Sequence, residues 1–194
     1  MIINLHGFAS NGNGLKSQAI HDLFGKCFSP NLPVSPKETV EMLEERIYKS
    51  VELGGKNISI IGTSMGGFYA KYLIGKMDLK GLIINPVIEP SITMKRRLGV
   101  NTFHKTGDTF DWTEKHIEEL QLLEIEAESF EYLKSSTKVI LGTQDTVINI
   151  ANTKKYFEER YFKVHEYESD HRFTSKFKEV IHEFSDFLLT GNIC

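Results

Sequence analysis

The stretch Ile58-Ser59-Ile60-Ile61-Gly62-Thr63-Ser64-Met65-Gly66-Gly67-Phe68-Tyr69-Ala70 constrains this chain more than any other. It opens as an apolar, β-branched run, which reads as a buried strand. It then turns sharply and takes up a helical pattern from Phe68 to Ile74. The turn spells G-x-S-x-G between a strand and a helix, the setting in which a serine is held on a tight bend with its hydroxyl above the sheet edge. Gly62 and Gly66 fit that bend because a Cβ at either position would collide with the neighbouring strand or helix. The helix beginning at Ser64 directs the positive end of its dipole at any oxyanion formed beside the serine. Ser64 is therefore the candidate nucleophile.

Strand and helix patterns alternate around this turn, which implies a mostly parallel sheet with helices on both faces. Strands are expected at Ile2–Leu5, Lys26–Phe28, from Ile58, Leu79–Asn85, Lys138–Gly142 and Tyr161–Tyr167. Helices are expected at Leu15–Phe24, Lys37–Leu53, Gly67–Met77, Ile150–Arg160 and Phe173–Leu189. The rhythm breaks between Pro86 and about Leu133. That segment holds the basic run Lys95-Arg96-Arg97, a polar loop around Thr106-Gly107-Asp108 and an amphipathic helix from Thr113 to Leu123. It is too short for a core of its own and reads as a lid-like insertion over the site. The whole of 1–194 is thus expected to be one domain.

A serine hydroxyl needs a base, and that base needs a carboxylate to fix its tautomer. In an open parallel sheet the loops past the carboxyl ends of the strands meet. Three such loops carry Ser64, Asp145 and His171. The order Ser, Asp, His is that of the α/β-hydrolases. Asp170 is the rival acid, but adjacent side chains seldom face one another. His21 and His182 fall on helices and His165 in a strand. His104 and His116 lie in the insertion, where either could line a pocket, and His6 is expected to order the first loop by hydrogen bonding. The oxyanion would be held by the backbone N–H of Met65 and, from the loop after the first strand, that of Phe8.

These residues resemble the YqiA/YcfP-like small bacterial esterases over nearly the whole length of the chain. The resemblance rests on Leu5-His6-Gly7-Phe8, the segment 62–70, Asn85-Pro86-Val87 with Pro90, and Thr106-Gly107-Asp108. Leu141–Asp145 and Ser169–Phe173 complete it. It implies an α/β-hydrolase fold, the residues Ser64, Asp145 and His171 as a triad, and hydrolysis of a small-molecule acyl ester or thioester with no cofactor. Glu168-Ser169 departs from the glycine expected ahead of His171. A binding protein on the same scaffold, and an acyltransferase, are the competing classes.

Composition sets outer limits. A net charge of −3 does not suggest a nucleic-acid partner. No apolar run reaches the ~18 residues of a membrane span. The start of the chain runs straight into a strand without the pattern of a signal peptide. Cys27 and Cys194 lie far apart and at no metal-ligand spacing, which fits a reducing, cytoplasmic setting. Lys95-Arg96-Arg97 reads first as a solvated face. Placed at the mouth of the site, it would instead steer an anionic substrate such as a phosphate-bearing acyl thioester. The acyl chain, the leaving group and the oligomeric state are not written in the sequence.

Overall fold

The computed structural model describes residues 1–130 and 134–190. Cys194 and the end of the 86–133 segment lie outside them. Six strands form one sheet: β1 (Ile2–Leu5), β2 (Cys27–Phe28), β3 (Ser59–Thr63), β4 (Lys80–Ile84), β7 (Thr137–Gly142) and β8 (Val164–Tyr167). All pairs are parallel, in the order β2-β1-β3-β4-β7-β8. All carboxyl ends therefore open on one edge, where Leu5 pairs with Gly62, Thr63 with Ile84 and Gly142 with Tyr167.

Side chains alternate across a strand, so each strand feeds two layers. Ile2, Ile61, Leu82 and Ile140 pack with α1 (Leu15–Phe24), α7 (Phe177–Glu183) and α8 (Ser185–Leu189) through Ile20, Phe177, Ile181 and Leu188. Ile3, Leu5, Ile60, Ile83 and Val139 point the other way. They meet α2 (Pro36–Glu52), α3 (Met65–Met77) and α5 (Glu114–Glu128) through Leu43, Phe68, Leu73 and Leu120. Helix α6 (Ile150–Glu158) adds Phe157 to this second layer. The helices on both faces read from the sequence are thus present.

Two local readings need correction. The Thr106-Gly107-Asp108 loop is the tip of an antiparallel hairpin, β5 (Gly99–Thr102) with β6 (Thr109–Trp112). A short helix α4 (Pro90–Thr93) and a 3₁₀ turn over Met94–Arg97 precede it. The helix expected over Phe173–Leu189 is two pieces, because Phe173 takes a positive φ of 55° and the chain bends again at Phe184, between α7 and α8. Of two carboxylates in the segment between β4 and β7, Glu119 fastens it to the body and Glu124 ties α5 to α4 within it. Glu119 of α5 accepts from the Ser35 hydroxyl (2.6 Å) and the Lys37 N–H (3.2 Å), and Glu124 accepts from the Ser91 N–H (2.7 Å) and hydroxyl (2.5 Å). Among the described residues no helix is long and apolar enough to cross a membrane.

Candidate active site

Ser64 stands between β3 and α3 with φ 57° and ψ −120°, a conformation that costs a non-glycine residue strain. The bend is possible only because its glycines lack side chains. A Cβ on Gly62 would sit 2.1 Å from the Gly66 carbonyl oxygen, and one on Gly66 would sit 2.2 Å from that of Leu5. Ser64 is held from both sides, donating its N–H to Ile84 O (2.9 Å) and accepting at its own carbonyl from Val87 (3.2 Å).

The structure brings Ser64, His171 and Asp145 together across three strand ends. His171 Nε2 lies 3.0 Å from Ser64 Oγ, and His171 Nδ1 lies 2.6 Å from Asp145 Oδ2. The Asp145 side chain is completely buried, whereas that of His171 is 17% exposed. The other Asp145 oxygen accepts the N–H groups of Val147 (2.7 Å) and Ile148 (3.1 Å). Burial alone would raise the Asp145 carboxyl. The bonds from His171, Val147 and Ile148 outweigh it and hold the group below the usual carboxylate range. An ionised Asp145 favours the His171 tautomer with its proton on Nδ1, in which the lone pair of Nε2 faces Ser64 Oγ. Asp170, the rival acid, accepts the Phe173 N–H at 2.9 Å and so caps its own turn.

The first loop lies against Ser64. A Cβ on Gly7 would meet Ser64 Cβ at 3.3 Å, a tight contact, so this backbone passes close to Ser64. His6 orders the loop as its position suggested, with Nδ1 2.8 Å from Gly7 O and Nε2 accepting the Leu32 N–H (3.1 Å). Burial lowers the His6 pKa, which keeps the ring neutral in this arrangement. The Met65 N–H is at the first turn of α3, where no intrahelical carbonyl reaches it. Phe8 and Met65 border one space, and their backbone N–H groups are the candidate oxyanion donors. His104 and His116 do not line that space. His21 lies on α1, His182 on α7 and His165 in β8. Burial pushes the Cys27 thiol up to about 11, which leaves it a poor nucleophile. The Glu168-Ser169 departure is absorbed by the Asp145 loop, where Gln144 donates from its side chain to Glu168 (3.1 Å) and from its backbone to Ser169 O (3.0 Å).

Three residues gain importance only in three dimensions. Asn85 is fully buried at the end of β4, with φ 43°, a conformation asparagine tolerates better than most. Its Oδ1 accepts the Gly142 N–H (2.7 Å), and its Nδ2 donates to the carbonyls of Asp170 and His171 (both 3.1 Å). One side chain thus ties the strand leading to Asp145 to the loop carrying His171. Trp112 of β6 packs edge-on against Phe8, ring centroids 5.0 Å apart. Arg97 lies over the same Phe8 ring at 5.9 Å, and Lys95, Arg96 and Arg97 are all exposed.

The third is Lys16 of α1, bonded to the residue before Ser64. Its ammonium donates to Thr63 Oγ1 (2.8 Å) and lies 5.2 Å from the centre of the Phe177 ring. Burial lowers its pKa to about 7, opposed by the negative charge of Asp170. Because the folded value lies below that of a free lysine, the unfolded chain binds more protons between pH 7 and pH 10.5, and stability rises with pH across that window. Lys16→Met should therefore raise the melting temperature at pH 6 and lose that advantage progressively towards pH 10. A difference that does not vary with pH would show that the amine is not held in this way.

A family model for an uncharacterised protein family, UPF0227, matches residues 1–189. A UPF0227 protein of Vibrio cholerae is 26% identical over 186 residues, 94% of each chain. Another, from Serratia proteamaculans, is 28% identical over 102 residues, 50% of this chain and 57% of that one. Among solved structures, Est1E from Butyrivibrio proteoclasticus superposes with a TM-score of 0.76 at 13% identity, covering 97% of this chain and 86% of that one. A monoacylglycerol lipase of Paleococcus ferrophilus gives 0.65 at 14%, covering 96% and 93%. FphF, a fluorophosphonate-binding serine hydrolase of Staphylococcus aureus, gives 0.65 at 14%, covering 96% and 82%. The fold is that of the α/β-hydrolases. With the family match running from the first strand to the last helix, the chain belongs to the UPF0227 family, as its YqiA/YcfP-like motifs implied.

Proposed function

We propose that the protein is a serine hydrolase that cleaves carboxylic esters, thioesters included, through an acyl-enzyme on Ser64. The observation that carries this reading is the chain of contacts from Ser64 Oγ through both nitrogens of His171 to a buried, ionised Asp145. The monoacylglycerol lipase and the fluorophosphonate-binding serine hydrolase among its structural neighbours are consistent with it. Ser64 Oγ attacks the acyl carbonyl while His171 Nε2 takes its proton. The tetrahedral oxyanion is met by the N–H groups of Phe8 and Met65. His171 returns the proton to the leaving oxygen or sulfur, and the acyl group stays on Ser64. Water, deprotonated by the same nitrogen, then releases the acid and restores the serine. A p-nitrophenyl butanoate assay with a butanoyl thioester alongside tests the reaction class. Turnover of one or both, abolished by a fluorophosphonate, is expected. No turnover of short or long acyl esters would contradict the reading.

Asn85 supplies a further prediction. Asn85→Ala leaves one N–H and two carbonyls without their partner in the interior, and frees the loop that sets the height of His171. A displacement of about 1 Å at the base can cost about 10²-fold in rate. kcat should fall by about that factor with KM nearly unchanged. Asn85→Asp, which keeps the acceptor for Gly142 but not the donors, should be no better than alanine. Wild-type kcat in either variant would remove Asn85 from the positioning machinery.

A further inference from the structure

A cleft is enclosed between the first loop, α3 and the hairpin β5–β6. Gly7, Phe8 and Met65 line it on one side, Phe103 and Phe110 of the hairpin on another. Gly7 brings it close to the reacting atom, since a Cβ on Gly7 would stand 3.7 Å from Ser64 Oγ. No described residue of the Asp145 or His171 loops lines it. The leaving atom must reach His171 Nε2 to be protonated, so the leaving group lies on that side and the cleft receives the acyl half. Free space in it is about 30 Å³. That is room for two or three groups of water or methylene size at ~10–15 Å³ each. The polar side chains that line it are already engaged. His6 accepts the Leu32 N–H, and the Tyr69 hydroxyl is bonded to Thr39. The cleft therefore suits a short, uncharged chain.

What limits the cleft is a ring held in place. In β6 Phe110 is half-buried between the exposed Thr109 and Asp111, so its side chain is on the inward face of the strand. Its ring packs edge-on to Phe8 at 5.5 Å and against Phe103 at 4.4 Å. The turn of the hairpin is fastened to the segment after β1. The His104 N–H donates to Ala9 O (2.9 Å) and the Lys105 ammonium to Asn13 O (3.1 Å). A butanoyl group carries three carbons beyond its carbonyl, which fills the space. Each further methylene must displace the Phe110 ring from its stack or remain in water.

Resting on the hydrolase reading, we propose that the preferred substrates are esters of short, uncharged acyl chains, up to about butanoyl, and that Phe110 sets this limit as a specificity-determining residue. The test compares p-nitrophenyl acetate, butanoate, hexanoate and octanoate, each below its critical micelle concentration, in the wild type and in Phe110→Ala. A pocket a methylene too small discriminates by about 10-fold or more. In the wild type kcat/KM should therefore fall by at least about 10-fold from butanoate to octanoate. Phe110→Ala should raise the octanoate-to-butanoate ratio by about the same factor, intrinsic reactivity cancelling between the two enzymes. A wild-type profile that is flat or rising to octanoate overturns the proposal, whether or not Phe110→Ala folds. So does an unchanged ratio in Phe110→Ala. Phe110→Leu keeps an apolar side chain to seat the hairpin and should shift the ratio in the same direction by less. Val100→Ala, at a position 72% exposed on the other strand, controls for loosening of the hairpin. An equal shift in Val100→Ala would also overturn the proposal. Turnover of any of these esters by the wild type upholds the hydrolase reading whatever the profile, and turnover of none is the failure of that reading, so the two are told apart.

Discussion

Ser64→Ala is expected to lower kcat for ester hydrolysis by about 10⁶-fold, the loss seen when a serine nucleophile acting in concert with its base is removed. The protein should remain folded. The hydroxyl contacts His171 at the partly exposed mouth of the site, and the elbow is held instead by backbone bonds from Ser64 to Ile84 and Val87. Alanine meets the same strain at φ 57° as serine does, so the melting temperature should change little. Steady-state kinetics with p-nitrophenyl butanoate and a thermal melt check the two halves. A variant that keeps a tenth of wild-type kcat would require another nucleophile.

The second large effect separates two neighbouring carboxylates. Asp145→Asn should reduce kcat by up to about 10⁴-fold, because the amide no longer forces the proton of His171 onto Nδ1. KM should change far less, as the side chain is completely buried and does not border the cleft. Asp170→Asn should cost little in kcat, since its carboxylate serves only to cap the turn at Phe173 and to face Lys16. The Asp145 carboxyl is held below its ordinary range, so the stability it contributes is complete above the unfolded carboxylate pKa. That stability is lost as pH falls through the lower folded value. The Asp145→Asn protein should therefore lose less stability on acidification than the wild type, a comparison that thermal melts between pH 6 and pH 3 provide. A larger kinetic effect at Asp170 than at Asp145 would reverse the assignment.

The parts of the fold that were legible in the sequence are those that local chemistry dictates. Strand β3, the Gly62–Gly66 bend and helix α3 follow from a β-branched run, two glycines and a 3.6-residue period, all within 20 positions. The order of Ser64, Asp145 and His171 along parallel strands then requires that their loops meet. The hairpin β5–β6 was not legible. Its strands are four residues each and mostly exposed, and what seats them is the packing of Phe110 and Trp112 on Phe8, about a hundred residues back in the chain. Asn85 reads as a strand end before a proline, yet its partners are Gly142, Asp170 and His171, far along the sequence. Lys16 reads as a helix-surface lysine. It is drawn inward because α7 packs Phe177 over it and Thr63 offers a hydroxyl. Each miss is a long-range contact made by a residue whose local pattern says something milder.

In the proposed reaction the acyl group is carried by Ser64. Peptide mapping by tandem mass spectrometry after treatment with a fluorophosphonate tests it most directly. One adduct per chain is expected, on Ser64, absent from Ser64→Ala and formed far more slowly in a His171→Ala variant. An adduct on any other residue, or equal labelling of the wild type and Ser64→Ala, would contradict it.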